Sequence, residues 1–257
     1  MMDDKHSIDH HLTAPTIERI RHELRRRSLT VESISDITPG MRRIVLRGED
    51  LADFISLPPD DHIKIIVSGI DGAEERRDYT PSRYDNAARR LTIDFALHEA
   101  GPATLWAIAA QPGAPLEIGG PRGSAVVSGV KRWLLIGDET ALPAIGRRIE
   151  ESGADTDITT IAAVADKNEE QFFETIAALR THWVHRPLPE ATNAEPLIAA
   201  LTGIDIVPQT FVWIAAEASV VRAIRAYLVE DRGYPLSWIK ASGYWVKGKP
   251  DATEKFE

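Results

Sequence analysis

Lys131-Arg132-Trp133-Leu134-Leu135-Ile136-Gly137-Asp138-Glu139-Thr140-Ala141-Leu142-Pro143-Ala144-Ile145 is an apolar run, a turn with a single glycine, and a helix start, in that order. Trp133–Ile136 predicts a short buried strand and Ile145–Glu151 a helix. The pattern then repeats. Strands are expected at Ile158–Ala165, His182–His185, Phe211–Ala216 and Ser237–Tyr244. Helices are expected at Asn168–Arg180, with Phe172, Ile176 and Leu179 on one stripe, at Glu195–Leu201 and at Ala218–Arg232. Strands alternating with helices imply a parallel sheet wound by right-handed crossovers. Ligands of such sheets belong at the carboxyl ends of the strands, where Gly137 and Ala216-Glu217 fall. The turn is no G-x-G-x-x-G, and Asp138 or Thr140 also reads as a helix cap. Its acids would repel a pyrophosphate on the turn itself, which implies a cofactor lying across the crevice.

Upstream of Lys131 the period is two. Val31–Ile37, Met41–Gly48, His62–Gly69 and Leu91–Leu97 are β-rich runs, punctuated by Thr38-Pro39-Gly40 and Pro58-Pro59-Asp60. Leu91, Ile93, Phe95 and Leu97 alternate with Thr92, Asp94 and Ala96, as in a sheet packed on one face. Short strands and turns predict an antiparallel Greek-key β-barrel. The expected fold class is therefore β + α/β, with residues 29–129 as the barrel domain and 130–257 as the α/β domain with its C-terminal strand and tail. Residues 1–28 form a polar tail followed by a short basic helix, Ala14–Arg27, with Ile17, Ile20 and Leu24 on one face. The histidines of the tail, His6, His10 and His11, read as solvated.

Two segments of the barrel half carry chemistry. Arg76-Arg77-Asp78-Tyr79-Thr80-Pro81 places Arg77 and Tyr79 two residues apart, on one face of an extended chain. His98-Glu99-Ala100-Gly101-Pro102-Ala103-Thr104 leads into a helix with small residues where the backbone amides are free, a start that attracts phosphate. A guanidinium beside it adds a bidentate clamp. Alone, Arg77 reads as a surface ion pair and Tyr79 as core; together, an aromatic plane and a phosphate clamp are what a flavin dinucleotide requires.

The 257 residues accommodate one large or two modest domains at roughly 100–200 residues each. Lys and Arg number 30 against 39 Asp and Glu, a net charge of −9 that argues against coating nucleic acid or an anionic membrane. No cysteine is present, which excludes disulfides, thiolate metal sites and a Cys nucleophile. Electrons, if handled, need a bound organic cofactor or a non-thiolate metal. The start MMDDKHSIDHHL lacks the basic-then-apolar pattern of a signal peptide, and no apolar run is long enough to span a bilayer, so a soluble cytoplasmic protein is expected.

The succession Arg77-Asp78-Tyr79-Thr80, His98 with Gly101-Pro102-Ala103 and Trp106, Gly120-Pro121-Arg122-Gly123, GDETALPAI from Gly137, and Gly243-Tyr244-Trp245 resembles the siderophore-interacting protein family, NAD(P)H-dependent flavin ferric-siderophore reductases. The resemblance runs from about Leu29 to Gly248. It implies an FAD-binding barrel followed by a nicotinamide domain. Arg77 and Asp78 would lie at the FAD pyrophosphate, with Arg77 holding it. Tyr79 would stack on the isoalloxazine, and Thr80 would bond near flavin N5. His98 and Gly101–Thr104 would complete the FAD site, Thr104 standing where the family often has serine. Gly137, Asp138, Glu139 and Thr140, with Ala216 and Glu217, would flank NADH or NADPH. Tyr244 and Trp245 would border the cofactors. Ala216 replaces a usual glycine, and Val246-Lys247-Gly248 stands where two basic residues are common.

Flavin accepts a hydride and releases electrons singly, and reduction of siderophore-bound Fe(III) loosens its hard oxygen ligands, so no covalent catalyst is required of the protein. The expected partner is a ferric siderophore, with no nucleic acid or membrane partner, and the chain is expected to be a monomer. Lys64 and Lys247 are candidates to hold the anionic chelate in one pocket; Arg42, Arg43 and Arg47 add basic character to the barrel. Trp106 reads as helix core against the barrel, and Trp245 as bordering the flavin or packing. The alternatives are a general flavin or ferredoxin-reductase-like enzyme with a protein partner, and a siderophore-binding protein without turnover. Asp166 favours NADH and Lys167 favours NADPH, leaving that choice open.

Overall fold

The computed structural model describes residues 14–69, 72–97 and 101–256. His6, His10, His11 and His98 lie outside the described residues. The first half comprises β1 (Thr16–Arg21), β2 (Arg26–Thr38), β3 (Met41–Arg47), β4 (Ile63–Ser68), β5 (Glu74–Tyr79), β6 (Pro81–Asp85), β7 (Arg90–Ala96), helix α1 (Pro102–Ala109), β8 (Pro115–Gly119) and β9 (Gly123–Ser128). Seven of these strands form one antiparallel sheet in the order β5-β4-β8-β2-β3-β7-β6. The alternation in β7 does what its pattern predicts. Leu91, Ile93 and Phe95 are fully buried against Ile44 and Leu46 of β3, Ile63 and Ile65 of β4 and Ile118 of β8. Burying each such side chain contributes about 1.5–3 kcal/mol.

The two edge strands of this sheet, β5 and β6, are consecutive in the chain and separated only by Thr80. Opposite edges joined by one residue can exist only if the sheet curls until its edges meet. The predicted barrel is thus a curled sheet whose last junction is the covalent chain at Thr80, with no ladder between β5 and β6 among the described residues.

The basic helix expected at Ala14–Arg27 is not formed. The segment instead gives β1, paired antiparallel with β9, and the start of β2. Ile17 and Leu24 remain exposed and Ile20 is only half-buried, so the apolar stripe finds no surface to pack against. The strand is held by its ladder and by His22, which bonds Ser124 at 2.7 Å.

The second half comprises β10 (Arg132–Gly137), α2 (Leu142–Glu151), β11 (Asp157–Val164), β12 (Ala178–His185), α3 (Glu195–Thr202), β13 (Thr210–Glu217), α4 (Ala218–Ala226), β14 (Ile239–Trp245) and β15 (Glu254–Phe256). The sheet order is β12-β11-β10-β13-β14-β15, parallel except for β15. Strand order reverses at β10, so the crevice outside its carboxyl end is the topological switch point. α4 is prolonged by a wide turn closed by the Arg232 amide on the Tyr227 carbonyl, five residues back.

The helix expected at Asn168–Arg180 is absent. A single 3-10 turn at Lys167–Glu169 is followed by irregular chain, and β12 begins at Ala178. Tertiary bonds override the helical pattern here. Glu169 accepts from Thr38 Oγ1 at 2.6 Å and from the Gly40 amide at 2.8 Å, while Glu170 meets His185 at 2.8 Å. Phe173, not Phe172, turns inward, over Gly146; a Cβ there would stand 2.7 Å from its ring. Phe172 and Ile176 face solvent.

The two sheets interlock. Met41 of β3 packs with Leu142, Ala162 and Val164 of the α/β half. Arg147 of α2, 4% exposed, donates to Ser56 Oγ (2.7 Å), the Ser56 carbonyl (2.8 Å) and the Pro81 carbonyl (3.1 Å). Asp60 accepts from Lys240 at 2.6 Å and from Trp213 Nε1 at 3.1 Å. Burial opposes the charge on Asp60, but the Lys240 ammonium beside it holds the carboxyl below its ordinary range.

Candidate functional site

β5 carries Arg77 and Tyr79 on one face and Asp78 on the other, as strand alternation requires. The Tyr79 ring lies 4.5 Å from that of Phe95, which lies 5.8 Å from Trp106 of α1. Trp106 packs on the barrel core as its sequence context implied. Burial raises the Tyr79 phenol well above its ordinary pKa. Arg77, largely buried, donates to Glu75 at 2.5 Å. Asp78 pairs with Lys64, its register partner on β4, at 2.9 Å, while its second oxygen is buried without a hydrogen-bond partner.

α1 starts at Gly101 with no side-chain cap and no acid in its first turn, so its leading amides have no internal partner. Among the described residues, a Cβ on Gly101 would meet nothing within 4 Å. Pro102 fixes the first turn; Ala103 and Thr104 are buried against the barrel. An uncapped cationic helix start, an arginine, an orphaned carboxylate oxygen and a buried aromatic stack fit FAD: an anionic pyrophosphate, polar groups to satisfy Asp78, and an aromatic ring system.

At the carboxyl ends of the parallel strands, three segments are stitched together by two buried carboxylates. Asp138, 1% exposed, accepts from the Thr140 amide (3.0 Å) and hydroxyl (2.5 Å), the Glu217 amide (3.1 Å) and Trp245 Nε1 (2.9 Å). It therefore caps its own turn and ties it to β13 and β14. Glu217 caps α4, accepting from the Ser219 amide (2.6 Å), the Ser219 hydroxyl and the Val220 amide (3.3 Å), while its other oxygen takes the Lys247 amide (3.2 Å). Burial works against its charge, but these hydrogen bonds, led by Ser219, hold the Glu217 carboxyl below its ordinary range. Both acids are fully engaged within the protein and leave the crevice wall to backbone and neighbours. Gly137 is glycine because a Cβ would stand 2.5 Å from the Ala141 Cβ and 2.8 Å from the Ala215 carbonyl. Ala216 is buried in β13.

Glu139 points elsewhere, into an ion pair with Arg186 at 2.9 Å. Burial, then the nearby Asp138 charge, pushes its carboxyl up to about 7 against the pull of Arg186. Sequence reading missed Arg186; its one local signal is Pro187, which keeps it extended at the end of β12. It also missed Arg147, whose partners are distant in sequence.

The two groups of motifs meet at Tyr244, whose hydroxyl faces Thr80 and whose ring stands edge-on to Trp213 at 6.0 Å. Burial, reinforced by Asp60, raises the Tyr244 phenol. Lys64 and Lys247 have different neighbours. Lys64 bonds Asp251 at 2.7 Å as well as Asp78, whereas the Lys247 ammonium lies 3.5 Å from the Pro189 carbonyl.

A curled antiparallel sheet set against a parallel sheet, with Arg77 and Tyr79 on the edge strand of one and a crevice at the strand ends of the other, is an architecture found in flavin reductases. The ferredoxin reductase of carbazole 1,9a-dioxygenase shares the fold at a TM-score of 0.67 and 17% identity, over 84% of this chain and 66% of that one. Within that class the chain belongs to the siderophore-interacting protein family. The family model "Siderophore-interacting protein" matches residues 130–248, and "Siderophore-interacting FAD-binding domain" matches 30–76 and 71–125. The chain is 32% identical over 251 residues to the NADPH-dependent ferric-chelate reductase of Escherichia coli (strain K12), covering 89% of this chain and 96% of that protein. It superposes on a siderophore utilization protein from T. fusca with a TM-score of 0.84 and 34% identity, covering 93% and 98%.

Proposed function

We propose that this protein is a flavin-dependent ferric-siderophore reductase, passing electrons from NAD(P)H through FAD to siderophore-bound Fe(III). The observation that carries the reading is the bond from Arg147 of α2 to the Pro81 carbonyl at 3.1 Å: it holds the chain beside Thr80, the seam of the first sheet, against the α/β half. FAD, when bound, supplies the conversion of a two-electron donor into single-electron steps. The chain's part is alignment. Residues 29–129 form the flavin-binding domain, in which Arg77 and the α1 amides hold the pyrophosphate and Tyr79 and Thr80 border the ring system. Residues 130–257 form the nicotinamide domain, whose three stitched segments shape the crevice. Arg147 and Asp60–Lys240 lock the domains so that the donor and the flavin meet in one geometry.

The substrate reaches the flavin as an anionic chelate, and Lys64 and Lys247 are the cations that receive it, Lys64 in exchange for Asp251. The protein acts as a cytoplasmic monomer in this reading; no helix among the described residues is long and apolar enough to cross a membrane. The purified protein is expected to be yellow, to bleach anaerobically with NADPH, and to regain its colour on adding a ferric siderophore. Protein that folds without taking up FAD, or whose FAD ignores both nicotinamides, refutes the proposal.

A further inference from the structure

A line of hydrogen bonds runs inward from the half-buried His22, which follows β1. His22 Nε2 meets Ser124 Oγ of β9 at 2.7 Å, and Ser124 Oγ reaches Oδ2 of Asp61 at 2.7 Å. Asp61 is 3% exposed, and its Oδ2 also accepts from the Leu57 amide at 2.8 Å. The inner end of the line lies at the seam of the first sheet. Asp61 stands two residues before Ile63, the register partner of Tyr79, and Leu57 follows Ser56, which Arg147 ties to Pro81. Asp60 and Asp61 are consecutive carboxylates in opposite surroundings. Burial opposes the charge of Asp60, but Lys240 of β14 keeps it below the ordinary range. Burial, with the Asp60 charge beside it, raises Asp61 against the pull of Ser124, the Leu57 amide and Ser56. Among the described residues no cation bonds Asp61: Arg147 of α2 stops at Ser56, Lys240 at Asp60, and Arg148 of α2 acts on Asp60. His62 beside it is exposed. The Tyr244 phenol of β14, facing Thr80, is raised by burial, then by the charges of Asp60 and Asp61. Neighbouring groups pushed apart in this way divide acid from base.

We propose that His22 and Ser124 form a proton wire that loads the Asp61 carboxyl from solvent when negative charge arrives at the flavin. This rests on the reductase reading above. The Ser124 hydroxyl carries a single hydrogen. While Asp61 is ionised that hydrogen points to Oδ2, so His22 must donate through Nε2–H. In the loading step solvent protonates His22 at Nδ1, the Nε2 proton passes to Ser124 Oγ, and the Ser124 proton passes to Asp61 Oδ2. One proton enters at the ring and one lodges on the carboxyl. Every donor then points the other way: Asp61 to Ser124, Ser124 to His22 Nε2, with the ring hydrogen on Nδ1. Electrons from the nicotinamide bring negative charge to the flavin, and a buried carboxyl that is already reluctant to ionise offsets it by keeping the proton. Asp61 thereby couples the charge at the seam to the tautomer of a histidine at the surface.

The test reads the His22 ring by nitrogen NMR in the FAD-loaded full chain at pH 8, before and after anaerobic reduction, by light with EDTA and separately by NADPH. Wild type is expected to pass from the Nε2–H to the Nδ1–H tautomer on reduction by either route. By indicator dye it should take up to about one proton more per flavin than Asp61→Asn, whose His22 ring does not change. Ser124→Ala is expected to slow that uptake about tenfold, and Ser124→Thr, which keeps the hydroxyl, to restore it. A wild-type ring unchanged by reduction, with proton uptake equal to that of Asp61→Asn, overturns the wire. Should Asp61→Asn fail to fold, an unchanged ring and an uptake rate untouched by Ser124→Ala overturn it. Reduction by light but not by NADPH refutes the reductase reading instead, and the tautomer still decides the wire. In a chain that takes up no FAD, pH replaces reduction. The Asp61 carboxyl and the His22 ring should then titrate as a coupled pair in wild type and independently in Ser124→Ala; independent titration in wild type overturns the wire.

Discussion

The indole Nε1 of Trp245 donates to Oδ2 of Asp138 at 2.9 Å, so the last motif of the chain is anchored in the turn after β10. Asp138→Ala leaves the Glu217 amide and the Trp245 indole without their acceptor in a buried site. The expected cost is about 3 kcal/mol of stability, read by urea denaturation. The KM for NADPH should rise as the three crevice segments loosen, while FAD content stays near wild type.

Arg147→Met keeps the length of the side chain and removes its donors, stranding the carbonyls of Ser56 and Pro81 at the sheet–sheet contact. A loss of about 3 kcal/mol is expected. Stopped-flow bleaching by NADPH should slow, because the two cofactor motifs are held in register through this residue.

Gly137→Ala meets Ala141 Cβ and the Ala215 carbonyl, neither of which is the free end of a flexible chain. Overpacking of this kind costs about 1–3 kcal/mol. Thermal unfolding should show a lowered Tm, and an unchanged Tm would mean that the turn after β10 shifts without cost.

Arg77→Ala removes the guanidinium proposed for the pyrophosphate. The variant should fold but lose flavin on gel filtration, read as a fall in the ratio of absorbance at the flavin band to that of the protein.

Glu139 sets a pH dependence. Its carboxyl is raised to about 7 in the folded chain from an ordinary 4.5, so the folded state binds the extra proton between those values. Stability contributed by this group is therefore full below pH 4.5, declines as pH rises to 7, and is level above it. The decline is at most about 3 kcal/mol. Subtracting the Glu139→Gln profile from that of wild type, by denaturation at each pH, isolates it; a flat difference would place the folded-state pKa at its ordinary value.

The parallel half was legible where burial is two-sided. Trp133–Ile136 and Phe211–Ala216 announced themselves as short apolar runs, and both are central strands. The shared strand face of Arg77 and Tyr79 and the helix start after Gly101 were legible because each is local in sequence. What failed was helix reading at Ala14–Arg27 and Asn168–Arg180. In both segments an apolar stripe at helical spacing exists, but the deciding contacts lie far along the chain: Ser124 for His22, Thr38 and Gly40 for Glu169. Arg186 was invisible for the same reason, since its partner lies 47 residues upstream.

A sheet whose opposite edges are joined by one residue carries a topological constraint that its hydrogen bonds do not express. A circular permutant that opens the chain between Tyr79 and Thr80 keeps every ladder of the first sheet, yet it removes the single link that makes the sheet a ring. A permutant opened within Asn86–Arg89, in the hairpin turn between β6 and β7, keeps that link. Strain introduced at any seam of the sheet must therefore be taken up by the ladders or arrive at the backbone of Thr80.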